Sequence, residues 1–168
     1  FRVRVAEVRR LISVAGGANK QQSKELLAAI QKRVSDLQRE FDRNYKEIVK
    51  ELAARRIYMI NELQLDQGQA EFVQSYFDST VLPELEPILL QESQAIPALN
   101  DESLYLAIDI KSADKYHYAV VEVPTDRLDR FVEIPRRKGK AGKVFIVLDN
   151  IIRACLPQIF RGVLPVDS

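Results

Sequence analysis

A chain of 168 residues, 46% hydrophobic and 29% charged, holds enough apolar side chains for a buried core, which excludes the disordered and collagen-like classes. No apolar run reaches the ~18 to 20 residues that cross a bilayer, and the opening FRVRVAEVRR contains no signal-peptide stretch, so a soluble protein is expected. Cys155 is the only cysteine and His117 the only histidine, which excludes an intrachain disulfide, a Cys-rich zinc site and a histidine metal cluster, and makes a reducing compartment the expectation.

The net charge of +1 hides an asymmetry, since residues 1–56 carry 14 Lys and Arg against 7 Asp and Glu, while residues 57–168 carry 11 against 17. Two modules in different surroundings follow, the basic one suited to an anionic partner or an acidic neighbouring domain; a solvated charged face is the simpler alternative.

The chain starts without Met, in what reads as mid-helix. Phe1, Val5, Val8 and Ile12 recur at helical spacing with Arg2, Arg4, Arg9 and Arg10 between them, giving a helix with a basic face. Ala15-Gly16-Gly17-Ala18-Asn19 breaks it, and Ser23 is the expected N-cap of the next helix. From Lys24 to about Arg56, Leu26, Ile30, Val34, Leu37, Phe41, Tyr45, Ile48 and Leu52 form a narrow apolar stripe on a helix of roughly 45 Å. Such a stripe is expected to be buried against a partner helix, with the first helix as a local candidate in an antiparallel hairpin.

Ile57-Tyr58-Met59-Ile60 reads as a short buried strand opening a second module. Asp66 and Gln69 stand as a variant capping box before a helix of about four turns through Phe72, Val73, Tyr76 and Phe77, which Pro83 and Pro87 end. Leu104, Leu106, Ile108 and Ile110 alternate on one face of a strand, and Tyr116 to Val123 follows Ser112-Ala113-Asp114-Lys115 as its antiparallel partner. Phe131 to Ile134 and Val144 to Leu148 give a second strand pair, and Asp149 is the expected cap of a helix with Ile151, Ile152, Cys155 and Ile159 inward. The fold class is α+β: a long-helix hairpin, residues 1–56, followed by a small antiparallel sheet with packed helices, residues 57–168.

The loop between the last two strands, Arg136-Arg137-Lys138-Gly139-Lys140-Ala141-Gly142-Lys143, imitates a phosphate-binding loop without being one. Two residues, not four, separate its glycines, Val144 stands where a Ser or Thr would hold magnesium, and a strand rather than a helix follows. Its basic residues could still meet a polyanion, or serve solubility at a hairpin tip. His117 lies between Tyr116 and Tyr118 with no Ser, Cys or carboxylate at catalytic spacing, and reads as structural; Cys155 reads as a small core residue. Asp126 and Asp129 flank Arg127 and Arg130, where local ion pairing accounts for them. No active site assembles. Arg2 and Arg9, one heptad apart, could form a basic ridge, but no aromatic residue alternates with the arginines as a base-stacking platform, so a specific nucleic-acid partner is not expected.

The opening FRVRVAEVRR, the run IQKRVSDLQREFDRNYKEIVKELAARRIYMINELQL, and the blocks SLYLAIDI, YAVVEVPTDRLDRFVEIP and VFIVLDNIIRACLPQIFRG are similar, in this order and over essentially the whole chain, to polyphosphate kinases that build polyphosphate from ATP. The resemblance implies that residues 1–56 are the later part of an N-terminal helical domain and residues 57–168 the first part of a head domain. It further implies that the intact enzyme moves the ATP γ-phosphate reversibly to polyphosphate through a phosphohistidine, with ATP and magnesium as cofactors of catalytic domains outside this chain. His117 matches no phosphorylated histidine of the family. This portion would be non-catalytic and bind no cofactor itself. Its implied partners are polyphosphate, ATP, the remaining domains of the same chain and a second copy in a homo-oligomer. The expected localisation is cytoplasmic, with a peripheral position at the inner membrane left open. Arg2, Arg4, Arg9, Arg10, Arg136, Arg137, Lys138, Lys140 and Lys143 are the candidate anion-binding residues. A stand-alone helical interaction or dimerisation module, and a polyanion-binding domain, remain the alternatives.

Overall fold

The computed structural model describes residues 2–14, 17–90, 98–112, 115–137, 139 and 141–161. The chain divides into two compact units, Phe1–Glu51 and Leu52–Ser168.

The front is the long-helix pair: α1 (Arg2–Val14) and α2 (Gly17–Ala54). Helix α2 begins before Ser23, which is therefore an interior residue and no cap. Gly17 costs little at the first helical position, and an i,i+4 bond of 2.8 Å from Gln21 Nε2 to Glu25 Oε1 supports the first turns. The expected break extends less far than the sequence suggested; Ala15 and Gly16 lie outside the described residues.

The α2 stripe is not buried as expected. Leu37 is 48% exposed, Phe41 68% and Ile48 57%, and the Phe41 and Tyr45 rings stack on the surface with centroids 6.4 Å apart. Length explains it. At ~1.5 Å per residue, the 38 residues of α2 run about 57 Å, and the 13 of α1 can line only about a third of that.

The second unit contains two three-stranded sheets. In one, β1 (Ile57–Ile60), β6 (Lys143–Val147) and β5 (Phe131–Ile134) lie in the order β1-β6-β5. β5 and β6 are antiparallel as expected, but β1 joins β6 in parallel, with Ile57 opposite Lys143 and Ile60 opposite Ile146. In the other, the order is β2-β4-β3, all antiparallel, from β2 (Ile88–Leu90), β3 (Leu104–Ser112) and β4 (Lys115–Val123). The β3–β4 pair is the expected hairpin, although Ala113 and Asp114 of its turn lie outside the described residues.

Helix α3 (Gln67–Tyr76) starts on the capping box read from sequence: Asp66 Oδ1 accepts from Gln69 N at 2.9 Å, and Gln69 Oε1 accepts from Asp66 N at 3.2 Å. Five residues of wider π-type turn, Phe77–Val81, extend it, and Pro83 follows in a short 3-10 turn. Phe77 and Val81 are fully buried there. Helix α4 (Leu148–Ala154) is capped by Val147, not Asp149; Asp149 sits inside the first turn, 3.9 Å from Arg153. There its charge still favours the helix N-terminus. The single final helix expected is two, because Pro157 lacks the N–H that would continue α4, and α5 (Leu156–Ile159) restarts with Pro157 in its first turn. The core lies between these layers: Val73, Phe77 and Val81, Ala119, Val121 and Val123 of β4, Ile146 of β6, and Leu148, Ile151 and Ile152 of α4.

Candidate functional site

The basic loop after β5 is held by side chains of the α3 capping box. Gln69 is 2% exposed; its amide oxygen closes the box, while Nε2 donates to the Pro135 carbonyl at 2.9 Å. Two residues on, Arg137 donates through Nη2 to the Gln64 carbonyl at 2.7 Å and places Nε 3.3 Å from Asp66 Oδ2. Gln64 belongs to a second box: Asn61 Oδ1 accepts from Leu63 N at 3.1 Å and Gln64 Oε1 accepts from Asn61 N at 3.0 Å. Two consecutive boxes thus fix where the loop leaves the sheet.

The far end of the loop is fixed by backbone. Arg56, past the end of α2, has φ 61°, in the left-handed region, which costs a residue with a Cβ roughly 1 to 2 kcal/mol. Its carbonyl accepts from Lys143 N at 2.8 Å. Gly142 has φ 113°, and a Cβ there would stand 2.2 Å from the Arg56 oxygen, so glycine is required at this crossing. Lys143 then starts β6 and pairs through Nζ with Glu133 Oε2 at 3.0 Å. A strand therefore follows Gly142-Lys143, as a phosphate-binding loop would not allow.

Between the two fixed ends lies a cavity of about 290 Å³. The strands contribute Tyr58, Ile60 and Val144, the capped turns Gln64 and Gln69, and the loop Arg136, Arg137 and Ala141. Arg136 is exposed and has no ion-pair or hydrogen-bond partner among the described residues. A larger hollow of 730 Å³ along α3 is lined by Ala70, Glu71, Gln74, Ser75, Asp78 and Ser79, whose two carboxylates would repel an anion.

The structure brings Arg136 and Arg137 to one cavity, commits Arg137 to Gln64 and Asp66, and commits Lys143 to Glu133. Lys138 and Lys140 lie outside the described residues. Arg9 and Arg10 are exposed on α1, in the first unit; Arg2 and Arg4 stand on the same helix. Tyr58, Gln64 and Gln69 were not singled out as site residues from sequence. The signal available was the repeated spacing of Asn61 to Gln64 and Asp66 to Gln69, two boxes five residues apart.

His117 is half-buried on β4 opposite Ile110. Cys155 is a free, buried thiol, and its surroundings, burial first and then the Asp78 carboxylate, push it up to about 11. Arg127 pairs more closely with Glu84, at 2.9 Å, than with its sequence neighbour Asp126, at 3.7 Å. Among the described residues no three His, Cys, Asp or Glu side chains converge. No helix among them is long and apolar enough to cross a membrane.

The sequence models of two domains match the chain in order: the polyphosphate kinase N-terminal domain over residues 1–60 and the polyphosphate kinase middle domain over residues 68–167. The chain is 44% identical over 171 residues to a polyphosphate kinase of Vibrio cholerae, covering 100% of this chain and 24% of that protein. To the polyphosphate kinase of Escherichia coli K12 it is 37% identical, covering 100% of this chain and 25% of that protein. The crystal structure of polyphosphate kinase from Porphyromonas gingivalis superposes with a TM-score of 0.71 at 28% identity, over 82% of this chain and 24% of that one. The chain thus spans about a quarter of the length of the curated relatives it matches. With the middle-domain match alone taking in residues 68–167, more than half of the sequence, the chain belongs to the polyphosphate kinase family.

Proposed function

We propose that this chain is the non-catalytic N-terminal and head portion of a longer polyphosphate kinase, with residues 1–56 the later part of the N-terminal domain and residues 57–168 the first part of the head. The observation that carries this is the order of the two domain matches, N-terminal then middle, along one chain. In this reading the intact enzyme transfers the ATP γ-phosphate reversibly to polyphosphate through a phosphohistidine outside this chain. Magnesium there would offset phosphate charge. It works in the cytoplasm as a homo-oligomer.

The contribution of this portion is electrostatic. Every unit of polyphosphate is charged, so clustered cations raise its local concentration by long-range attraction while other domains do the chemistry. The arginines of α1, Arg2, Arg4, Arg9 and Arg10, supply the first group of these cations. Arg136 leads the second, with Arg137, Lys138, Lys140 and Lys143 adding positive charge around it. The exposed stripe of Leu37, Phe41 and Ile48 on α2 favours a second reading beside this one, in which the helix packs against another helix.

The test is a titration with long-chain polyphosphate at low and moderate salt, using the chain and a quadruple variant with Arg2, Arg4, Arg9 and Arg10 replaced by Ala. Binding that falls steeply with salt and is weaker in the variant is expected. Equal affinities would remove α1 as a contributor, and no binding by either would leave the charge as a solvated face.

A further inference from the structure

The cavity beside Arg136 offers unused hydrogen-bonding capacity, most of it from donors. Gln69 spends its oxygen on Asp66 N and its amide nitrogen on the Pro135 carbonyl. Gln64 spends its oxygen on Asn61 N, which leaves its amide N–H groups to donate. Arg137 is turned to the Gln64 carbonyl and the Asp66 carboxylate, whereas the Arg136 guanidinium has no partner among the described residues. What remains is a free guanidinium, a free amide donor and the Tyr58 hydroxyl, a set that asks for acceptor oxygens and negative charge.

The rest of the lining asks for something different. Ile60, Val144 and Ala141 are apolar, and Tyr58, 39% exposed, presents a ring to the same space. Water covering such a surface is released when a planar or apolar body takes its place. A bare inorganic anion satisfies the donors and leaves this wall wet. At 290 Å³ the space sits at the lower end for small-molecule sites, which limits the occupant to about one ring with its anionic group.

We infer that the cavity between β1, β6 and the loop residues Arg136, Arg137 and Ala141 binds a small planar organic oxyanion, its charged oxygens on Arg136 and the Gln64 amide and its ring against Tyr58, Ile60 and Val144. The inference shares Arg136 with the polyphosphate reading and goes beyond it, because a polyphosphate chain has no ring to cover the apolar wall. Guanidinium accepts carboxylate and phosphate alike, so the two sources of the oxyanion are separated by experiment.

The experiment follows backbone amide signals of the chain by NMR during titration with phenyl phosphate, benzoate, inorganic phosphate and benzyl alcohol. One or both of the aromatic anions should shift Tyr58, Gln64, Ala141 and Val144, and the stronger of the two names the oxyanion. Inorganic phosphate and the neutral alcohol should each bind at least about tenfold more weakly, and Arg136→Gln should cost the aromatic anion about tenfold. Because Arg136 is exposed and has no partner among the described residues, the thermal midpoint of the variant should match that of the parent chain. Inorganic phosphate binding as tightly as phenyl phosphate, an unchanged affinity in Arg136→Gln, or shifts confined to other residues would each overturn the assignment. Long polyphosphate titrated in parallel keeps the two ideas apart. Arg136-dependent polyphosphate binding without aromatic-anion binding defeats the cavity inference alone, and the reverse defeats only the part of Arg136 in polyphosphate binding.

Discussion

Arg136 and Arg137 are adjacent and chemically identical, yet Arg137 holds the loop to the Gln64 carbonyl and Asp66 while Arg136 has no partner among the described residues. Their difference depends on Asp66, some seventy residues away in sequence, and no local pattern in RRKGKAGK encodes it. Cys155 makes a comparable point about burial. Its thiol is pushed up to about 11, by desolvation first and Asp78 second, and Tyr76 is raised above its ordinary 10.0 by desolvation and then Asp129. Both groups hold their protons more tightly folded than unfolded, so their stabilising contribution is full below their unfolded pKa values and is lost as pH rises through the folded ones. Thermal unfolding followed upward from pH 8 should therefore show a decline setting in above about pH 9, and Cys155→Ala should shed part of that decline. An identical alkaline loss in both proteins would remove Cys155 as its source.

The helices and strands differ in how far each depends on neighbours, and that difference separates two substitutions of similar chemistry. Leu37 on α2 is 48% exposed, so Leu37→Ala should cost less than about 1 kcal/mol in this chain. Ile151 on α4 is fully buried in the core, so Ile151→Ala should cost about 2 to 5 kcal/mol. Denaturant unfolding of the two variants checks the pair; a larger loss at Leu37 would mean that the α2 stripe is buried in solution. Legibility in the sequence follows the same division. Alternation in Leu104 to Ile110 and Tyr116 to Val123, helical spacing along α1 and α2, and the Asp66–Gln69 box depend on residues a few positions apart, and each is observed. The parallel pairing of β1 with β6 and the three-residue strand β2 depend on distant partners, and neither could be read locally. Asp149 misled because Asp is a common cap, whereas the turn into α4 comes directly from the strand residue Val147. Of the site, the basic loop was legible; the cavity, which needs Tyr58 and Gln64 brought beside it, was not.

At the scale of the whole molecule, two units follow one another, and the described residues bring together no nucleophile, base and metal ligands of the kind phosphoryl transfer needs. In the proposed reading the phosphohistidine lies outside this chain, so incubation of the chain with ATP, magnesium and polyphosphate is expected to consume no ATP. Turnover abolished by His117→Ala would overturn the division into N-terminal and head portions. The β1–β6 pair sets an order of events in time as well as in space. Ile57 meets Lys143 and Ile60 meets Ile146, so each contact spans 86 residues. A ribosome adding roughly 5 to 20 residues per second needs about 4 to 17 seconds between delivering the first strand and delivering its partner. Throughout that interval Ile57-Tyr58-Met59-Ile60 emerges with its backbone donors and acceptors unpaired, and the Arg56 carbonyl has no Lys143 amide to meet. The nascent chain therefore offers a short apolar strand to chaperones, or to other nascent chains, before its own sequence can close over it.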